Sequence, residues 1–434
     1  MLFSVSTTDL KRWQYMEIRQ DSQLEKLLAK GVDIPCPETV LIDNDVNMER
    51  ISGHGVRIYP GCRISGSSTL ILAGAQLGSE APVTVENCQI GPDVSLKGGF
   101  FRQSVFLAKA SAGSGSHVRE GCIFEEEASI AHTVGLKQTI LFPFVTLGSL
   151  INLCDCLMSG GTGRKDHSEV GSSYIHFNYT PNQDKATASL MGDVPRGVML
   201  KQKPVFLGGQ GGLVGPCRLE FGTVIAAGCV WRKDELRPNR LLICGGGRGG
   251  SMPFSTGVYQ NVKRILVNNF IYIANLTALG QWYAQVRSLF VSEIFSQALL
   301  DGLQEKISVG IEERIKRLKE LADKMPGSAK AYISASGESA SQSLLLQKKE
   351  FHENWPQLAE IFNKAQMADG TTEFRDAFLK TVEKRIQEKG KDYISVIQSL
   401  APEEAETGTR WLAGIVDETV SSALEILPSL GSVR

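Results

Sequence analysis

Arg119 and Lys137 are eighteen residues apart, and the chain between them repeats at every sixth position. Val118, Phe124, Ile130, Leu136 and Phe142 mark the period. The compact, apolar Cys122, Ala128, Val134 and Ile140 follow four positions after each of the first four. Such spacing fits neither a 3.6-residue helix nor a two-residue strand alternation. It fits a β-solenoid in which each hexapeptide forms one flat side and three complete a triangular coil. In that frame Arg119 and Lys137 hold equivalent positions on neighbouring rungs, roughly 4.8 Å apart. Stacked like charges are unfavourable, so an anion is expected between them, and Arg suits bidentate phosphate recognition. The competing reading is a solvated face neutralised by Glu120, Glu125, Glu126 or Glu127. Glu125 to Glu127 are expected to be solvated or to pair with a neighbouring subunit, and His132 is expected on the surface.

The elements that must hold this pair follow from the same period. It is first clear at Ile58, Ile64 and Leu70, is cleanest from 118 to 142, and returns at Leu207, Leu213, Leu219, Ile225 and Trp231. Between about 143 and 200 it breaks up, and insertions in a solenoid become loops that commonly form binding walls. An amphipathic stretch from Leu10 to Lys30, ended by Pro35 and Pro37, predicts a helical lead-in over 1–39. The solenoid is expected over 40–250, with inserted loops around 155–205. Gly245 to Gly250 closes it, and an α-helical domain is expected over 251–434. Within that domain, helices are predicted from Val262 to about Lys324, Leu344 to Ala365, Thr372 to Gln398 and Thr409 to Leu427, with a linker from Ser328 to Ser343. Packing within the chain or between subunits is the role expected of this tail.

Composition narrows the partners. The 434 residues carry 46 Lys and Arg against 47 Asp and Glu, so no global field recruits nucleic acid or a membrane surface, and an anion site must be local. No opening stretch resembles a signal peptide and no apolar run is long enough to span a bilayer, which makes a cytoplasmic location the expectation. Of nine cysteines, Cys62, Cys122, Cys217 and Cys229 each follow a repeat-setting Ile, Val or Leu by four positions, where a thiol behaves as a small hydrophobe. Cys154-Asp155-Cys156 has the wrong spacing for a paired zinc knuckle, and no metal is expected.

The repeat, the Arg119/Lys137 pair and the segment from Val170 to Ala227 together resemble a known family of left-handed β-helix, hexapeptide-repeat acyltransferases. The resemblance is to the C-terminal half of the bifunctional N-acetylglucosamine-1-phosphate uridyltransferase/glucosamine-1-phosphate acetyltransferase. Val118-Arg119-Glu120-Gly121, followed by Lys137, is similar to the Arg and Lys that grip the sugar phosphate there. Val170-Gly171-Ser172-Ser173-Tyr174-Ile175-His176-Phe177-Asn178-Tyr179 resembles a family run whose Asn and Tyr line the acceptor and acetyl-coenzyme A site. Lys185 lies within one position of the family lysine of that loop. Phe206-Leu207-Gly208-Gly209 and Ile225-Ala226-Ala227-Gly228 are similar to segments whose backbone contacts coenzyme A, which marks Gly209 and Ala227. The resemblance implies a left-handed parallel β-helix, a homotrimer, acetyl-coenzyme A as cosubstrate, and a sugar phosphate or nucleotide sugar as ligand.

The sequence departs from that pattern in three places. The uridyltransferase half has no counterpart, and Gly160-Gly161-Thr162-Gly163-Arg164 sits mid-solenoid rather than after a first Rossmann-type strand. Asn152 stands near the family's catalytic His, and Gly245 stands about where a basic residue meets coenzyme A. Acetyl transfer to an amine needs a base and donors facing the developing oxyanion. His167 and His176 are the expected replacements. Asp166 or Glu169 is placed to orient His167, and His176 is expected to share an outward face with Asn178. The leading expectation is an acetyl-coenzyme A-dependent N-acetyltransferase on a hexosamine phosphate. The alternatives are a non-catalytic sugar-nucleotide sensor or scaffold and, last, a pyrophosphorylase-like nucleotidyltransferase.

Overall fold

In the computed structural model the chain from Leu41 to Leu242 winds as a left-handed parallel β-helix. The structure describes residues 23–182, 184–245, 255–260, 262–367 and 370–431. Of the stretch read as a helical lead-in over 1–39, residues 23–30 are helical, 31–36 are turn and extended chain, Pro37–Thr39 is a 3-10 turn, and 1–22 lie outside the described residues, as do Gly246 to Gly250.

Each coil visits three faces in turn. The first carries Ser116–Val118 and the start of Gly135–Leu141; the second carries Cys122–Phe124 and the end of Gly135–Leu141; the third carries Ser129–Ile130. Third-face strands stack into a ten-stranded parallel ladder. The first two faces merge into one 16-stranded sheet, because Gly135–Leu141 and Asn152–Met158 bend around the corner between them. Alternation puts every second residue inside. The interior column on the first face runs through Phe101, Val118, Leu136 and Leu153, each at most 1% exposed.

The period is less uniform than six. Val118 pairs with Leu136, as the spacing predicts, but Phe124 pairs with Leu141 rather than Phe142. The lower coil turns its corner with Glu120 and Gly121; the upper uses Gln138 alone, at φ 48°. Gly121 is required there: its φ is 78°, and a Cβ would lie 2.6 Å from the Gln138 amide.

The helical region covers the second face. Helices α1 (Val262–Gln281) and α2 (Gln297–Ser336) lie on it, and α3 (Gln342–Glu353), α4 (Trp355–Ala365), α5 (Thr372–Lys389), α6 (Tyr393–Gln398) and α7 (Pro402–Glu425) build outward. A π-helical turn, Trp282–Val286, and a 3-10 turn, Arg287–Phe290, end α1, so the long helix expected from Val262 is two helices. Helix α2 runs close to the solenoid because Gly302 and Gly310 face it; a Cβ on Gly302 would lie 2.8 Å from Gln89 Oε1. At the same corner one rung above Gln138, Arg314 Nη2 donates to Asp155 Oδ1 at 2.7 Å with both side chains nearly dry.

The first part of the expected Ser/Ala/Gly-rich linker is the end of α2, which continues through Pro326 to Ser336, and only residues 337–341 connect it to α3. Ser328 is held there: its Oγ accepts from Tyr259 N at 3.2 Å and from Lys348 Nζ at 3.0 Å. Tertiary contacts override the weak local preference. Glu125 and Glu126 are also not solvated. Tyr283 OH donates to Glu125 Oε1 at 2.5 Å and Arg287 Nη2 to Glu126 Oε1 at 2.5 Å, so both carboxyls anchor the helical region. Cys62, Cys122 and Cys217 are free and buried as expected, whereas Cys229 is disulfide-bonded to Cys244. No helix among the described residues is long and apolar enough to cross a membrane.

Candidate functional site

The first face stays open, and its outward residues form two columns set by strand alternation. One runs Phe100, His117, Gly135, Asn152, Ile175 and Gly212. The other runs along the corner with the second face. There Arg119 N donates to Leu136 O at 2.8 Å, which seats Arg119 beside Lys137, and Lys137 pairs with Cys154. Arg102 lies one rung below Arg119, next to the Phe101–Val118 pair.

Three cations therefore share one edge with the corner carboxylate of Glu120, and Glu86 lies one rung below Arg102 in the same column. Glu120 Oε1 lies 2.7 Å from Lys137 Nζ, and its Oε2 lies 3.8 Å from Arg102 Nη2. Burial opposes ionisation of Glu120, but the Lys137 hydrogen bond and the two cationic charges outweigh it and hold the carboxyl below its ordinary range. Arg119 is exposed and makes no ion pair among the described residues. Cys154 closes the column; burial, then the Asp155 charge, pushes its thiol up despite Arg119 and Lys137, so it is no ready nucleophile.

The loop that follows Ile175–Phe177 leaves from the same edge, two rungs above Lys137. It carries Asn178, half-buried, and Tyr179, exposed. Lys185 is exposed on its returning arm, and its carbonyl accepts from Arg314 Nη1 at 3.2 Å. Arg119, Lys137, Asn178 and Tyr179 thus line one edge. Gly209 and Ala227 lie across the first face at its opposite corner, where Gly228 N donates to Gly209 O at 2.9 Å. Backbones stack tightly there: a Cβ on Gly208 would lie 2.4 Å from Ala227 N.

The two proposed bases are not at this edge. His176 occupies the interior column between Leu153 and Leu213 and is 3% exposed. Its expected outward direction is wrong, because alternation from Phe177, which faces water, turns it inward. Its Nε2 lies 2.8 Å from Ser189 Oγ, and burial pushes its pKa down to about 4, leaving a neutral core imidazole. His167 lies on an antiparallel hairpin, Gly161–Gly163 with Asp166–His167, at the corner between the second and third faces. Arg164 pins that hairpin by donating to Phe144 O at 2.9 Å and Glu127 O at 3.1 Å. His167 Nδ1 lies 2.9 Å from Arg164 O, and Nε2 lies 3.6 Å from Glu169 Oε2, so Glu169 and not Asp166 flanks the ring. Within one chain the helix-covered second face separates His167 from Arg119.

No family model matches the sequence. Over 231 residues it is 26% identical to the Bifunctional protein GlmU of Thermotoga maritima, covering 53% of this chain and 46% of that protein. It is 29% identical over 226 residues to the Bifunctional protein GlmU of Koribacter versatilis, covering 52% and 42%. The chain is similar to these proteins over its hexapeptide-repeat β-helix. It spans about half the length of the curated relatives it matches. Among solved structures, LpxA from Acinetobacter baumannii aligns over 63% of this chain and 95% of that one, at 13% identity and a TM-score of 0.19, too low to bear on the site.

In this hexapeptide-repeat chain the residue that spacing should have revealed is His117. It is exposed, two positions before Arg119 on the same outward side, with its ring centroid 5.0 Å from that of Phe100. Since Val118 sets the interior, both of its neighbours must point out. His132 is exposed, with Nδ1 2.8 Å from Ser149 Oγ, at the opposite corner of the first face. Among the described residues no group of three or more His, Cys, Asp or Glu is placed to hold a metal.

Proposed function

We propose that this chain is a transferase that moves an acetyl group from acetyl-coenzyme A to the amine of a hexosamine phosphate, with the phosphate held at the Arg119–Lys137 edge. One observation carries the reading: Arg119 stands between Arg102 and Lys137 on one edge and makes no ion pair among the described residues. Binding an anion there relieves the repulsion. Asn178 and Tyr179 would flank the acceptor, Lys185 would reach over from the loop, and the backbone at Gly209 and Ala227 would receive coenzyme A. In the reaction the amine nitrogen bonds to the acetyl carbon, the thioester C–S bond breaks, and the amine proton passes to a base.

Two histidines fit the base. His117 is about 6.6 Å along its strand from Arg119, within the same chain. His167 would serve only if a neighbouring subunit of a homotrimer brings its hairpin to this edge.

Asn152 on the first face, where the family resemblance places a histidine, favours a second reading: a sugar-nucleotide-binding scaffold without turnover. The deciding experiment follows thiol release from acetyl-coenzyme A in the presence of glucosamine 1-phosphate. Release that is lost in Arg119→Ala supports the transferase; sugar-phosphate binding without release supports the scaffold; neither binding nor release overturns both.

A further inference from the structure

A cleft lies away from the first face. It has a volume of about 620 Å³ and opens between the second face of the upper coils and helices α1 and α7. Its walls are apolar, formed by Leu219 and Leu236 of the solenoid, Ile271 of α1, and Val416, Val420 and Leu424 of α7. That volume is within the range of about 300–1,000 Å³ usual for small-molecule sites.

Most polar groups lining it are already committed. Arg196 is tied to Asp193 and, at 2.9 Å, to Glu220. Asn275 Oδ1 accepts from Val194 N at 2.9 Å, and its Nδ2 donates to Ile271 O at 2.8 Å. Thr409 Oγ1 donates to Pro195 O at 3.2 Å. Asp417 and Ser421 are exposed.

Arg218 is the exception. Its side chain lines the cleft half-buried, makes no ion pair or hydrogen bond among the described residues, and leaves Nε wholly buried and unpartnered. The nearest carboxylate is occupied elsewhere: Asp234 Oδ1 accepts from the Arg218 backbone N at 2.9 Å and from Asn268 Nδ2 at 3.0 Å, while Oδ2 lies 3.6 Å from Arg264 Nε. Burial, the largest influence, depresses the Arg218 pKa, the mark of a guanidinium short of compensation. A desolvated cation without an acceptor is costly, and a carboxylate or phosphate would satisfy its planar donors.

We infer that the cleft binds an amphipathic anion, an aliphatic chain along the α1/α7 walls with its acidic head on Arg218. The site is separate from the proposed acetyl-transfer edge.

Calorimetry on the full chain with decanoate, decyl phosphate, decanol and decyltrimethylammonium tests this. At least one of the two anions should bind, and whichever binds identifies the head group. Arg218→Gln should weaken that anion by at least about tenfold, Arg218→Lys should retain most of the affinity, and Ala413→Phe should abolish binding by filling the cleft. Decanol should bind more weakly than the anion and be indifferent to Arg218→Gln. Glucosamine 1-phosphate binding, where present, should not change in any of these variants. Absence of binding by both anions overturns the inference. So does equal binding of the cationic amphiphile, or anion affinity that survives either Arg218→Gln or Ala413→Phe. If Arg218→Gln does not fold, the head-group comparison and Ala413→Phe decide.

Discussion

Lys137 Nζ lies 2.7 Å from Glu120 Oε1, at a corner where one coil has a residue more than the next. That carboxylate sits between Lys137 and Arg102, and Arg119 makes no ion pair among the described residues. Glu120 therefore competes with any bound anion for Lys137. Replacing it with Gln should tighten sugar-phosphate binding several-fold, and the gain should shrink as salt rises. Titration at two ionic strengths checks this; weaker binding by Glu120→Gln would make Glu120 a positioning residue.

His117 and His167 predict different kinetics. If His117 is the base, His117→Ala should lower the acetyl-transfer rate by roughly 10²-fold or more with little change in sugar-phosphate affinity. His167→Ala should then be close to neutral. The reverse pattern, together with a trimeric species in solution, would assign the role to a neighbouring subunit's hairpin. Steady-state rates of the two variants separate the cases.

The Asp155–Arg314 pair ties α2 to the solenoid corner with both side chains out of water. Arg314→Met leaves Asp155 charged and dry and should cost about 3–5 kcal/mol. The double variant with Asp155→Leu should recover much of it. Urea unfolding of the three chains measures the difference, and a single-variant loss below about 1 kcal/mol would show that the corner rehydrates.

Two buried groups tilt stability in opposite directions with pH. Burial, against the Arg287 charge, raises the Glu125 carboxyl from 4.5 to about 7. Its contribution is complete below pH 4.5 and is lost as pH rises through 7. Burial lowers His176 from 6.5 to about 4, so its contribution is present above pH 6.5 and is lost as pH falls through 4. Between pH 4.5 and 6.5 the slopes oppose each other. Glu125→Gln should unmask the His176 slope, making stability rise with pH across that window by on the order of 3 kcal/mol. It should also abolish the loss toward pH 7. Urea midpoints from pH 4 to 8 check both; an unchanged profile would show that Glu125 is ionised and paired throughout.

The winding was legible because a six-residue period in Val118, Phe124, Ile130 and Leu136 has no other common structural source. Arg119 and Lys137 were placed in register by the same count. The count failed at Phe142, where Gln138 turns a corner alone by adopting φ 48°, a choice that hydrophobicity does not encode. His176 was misread because an imidazole is polar by type, whereas its direction is set by alternation, and Ser189, thirteen residues on, supplies its hydrogen bond. Ser328 to Ser343 read as a linker because its contacts with Tyr259 and Lys348 lie far off in sequence or beyond the segment. The acidic run at Glu125 could not disclose Tyr283 and Arg287, which meet it from more than 150 residues away.

The transferase reading turns on Arg119 holding the phosphate of a sugar. Calorimetric titration of glucosamine 1-phosphate into the wild-type chain and Arg119→Ala, at pH 7.5 and low salt, tests it most directly. Saturable binding by the wild type and at least about tenfold weaker binding by the variant are expected. Equal affinities, or no heat from the wild type with or without acetyl-coenzyme A, would contradict it.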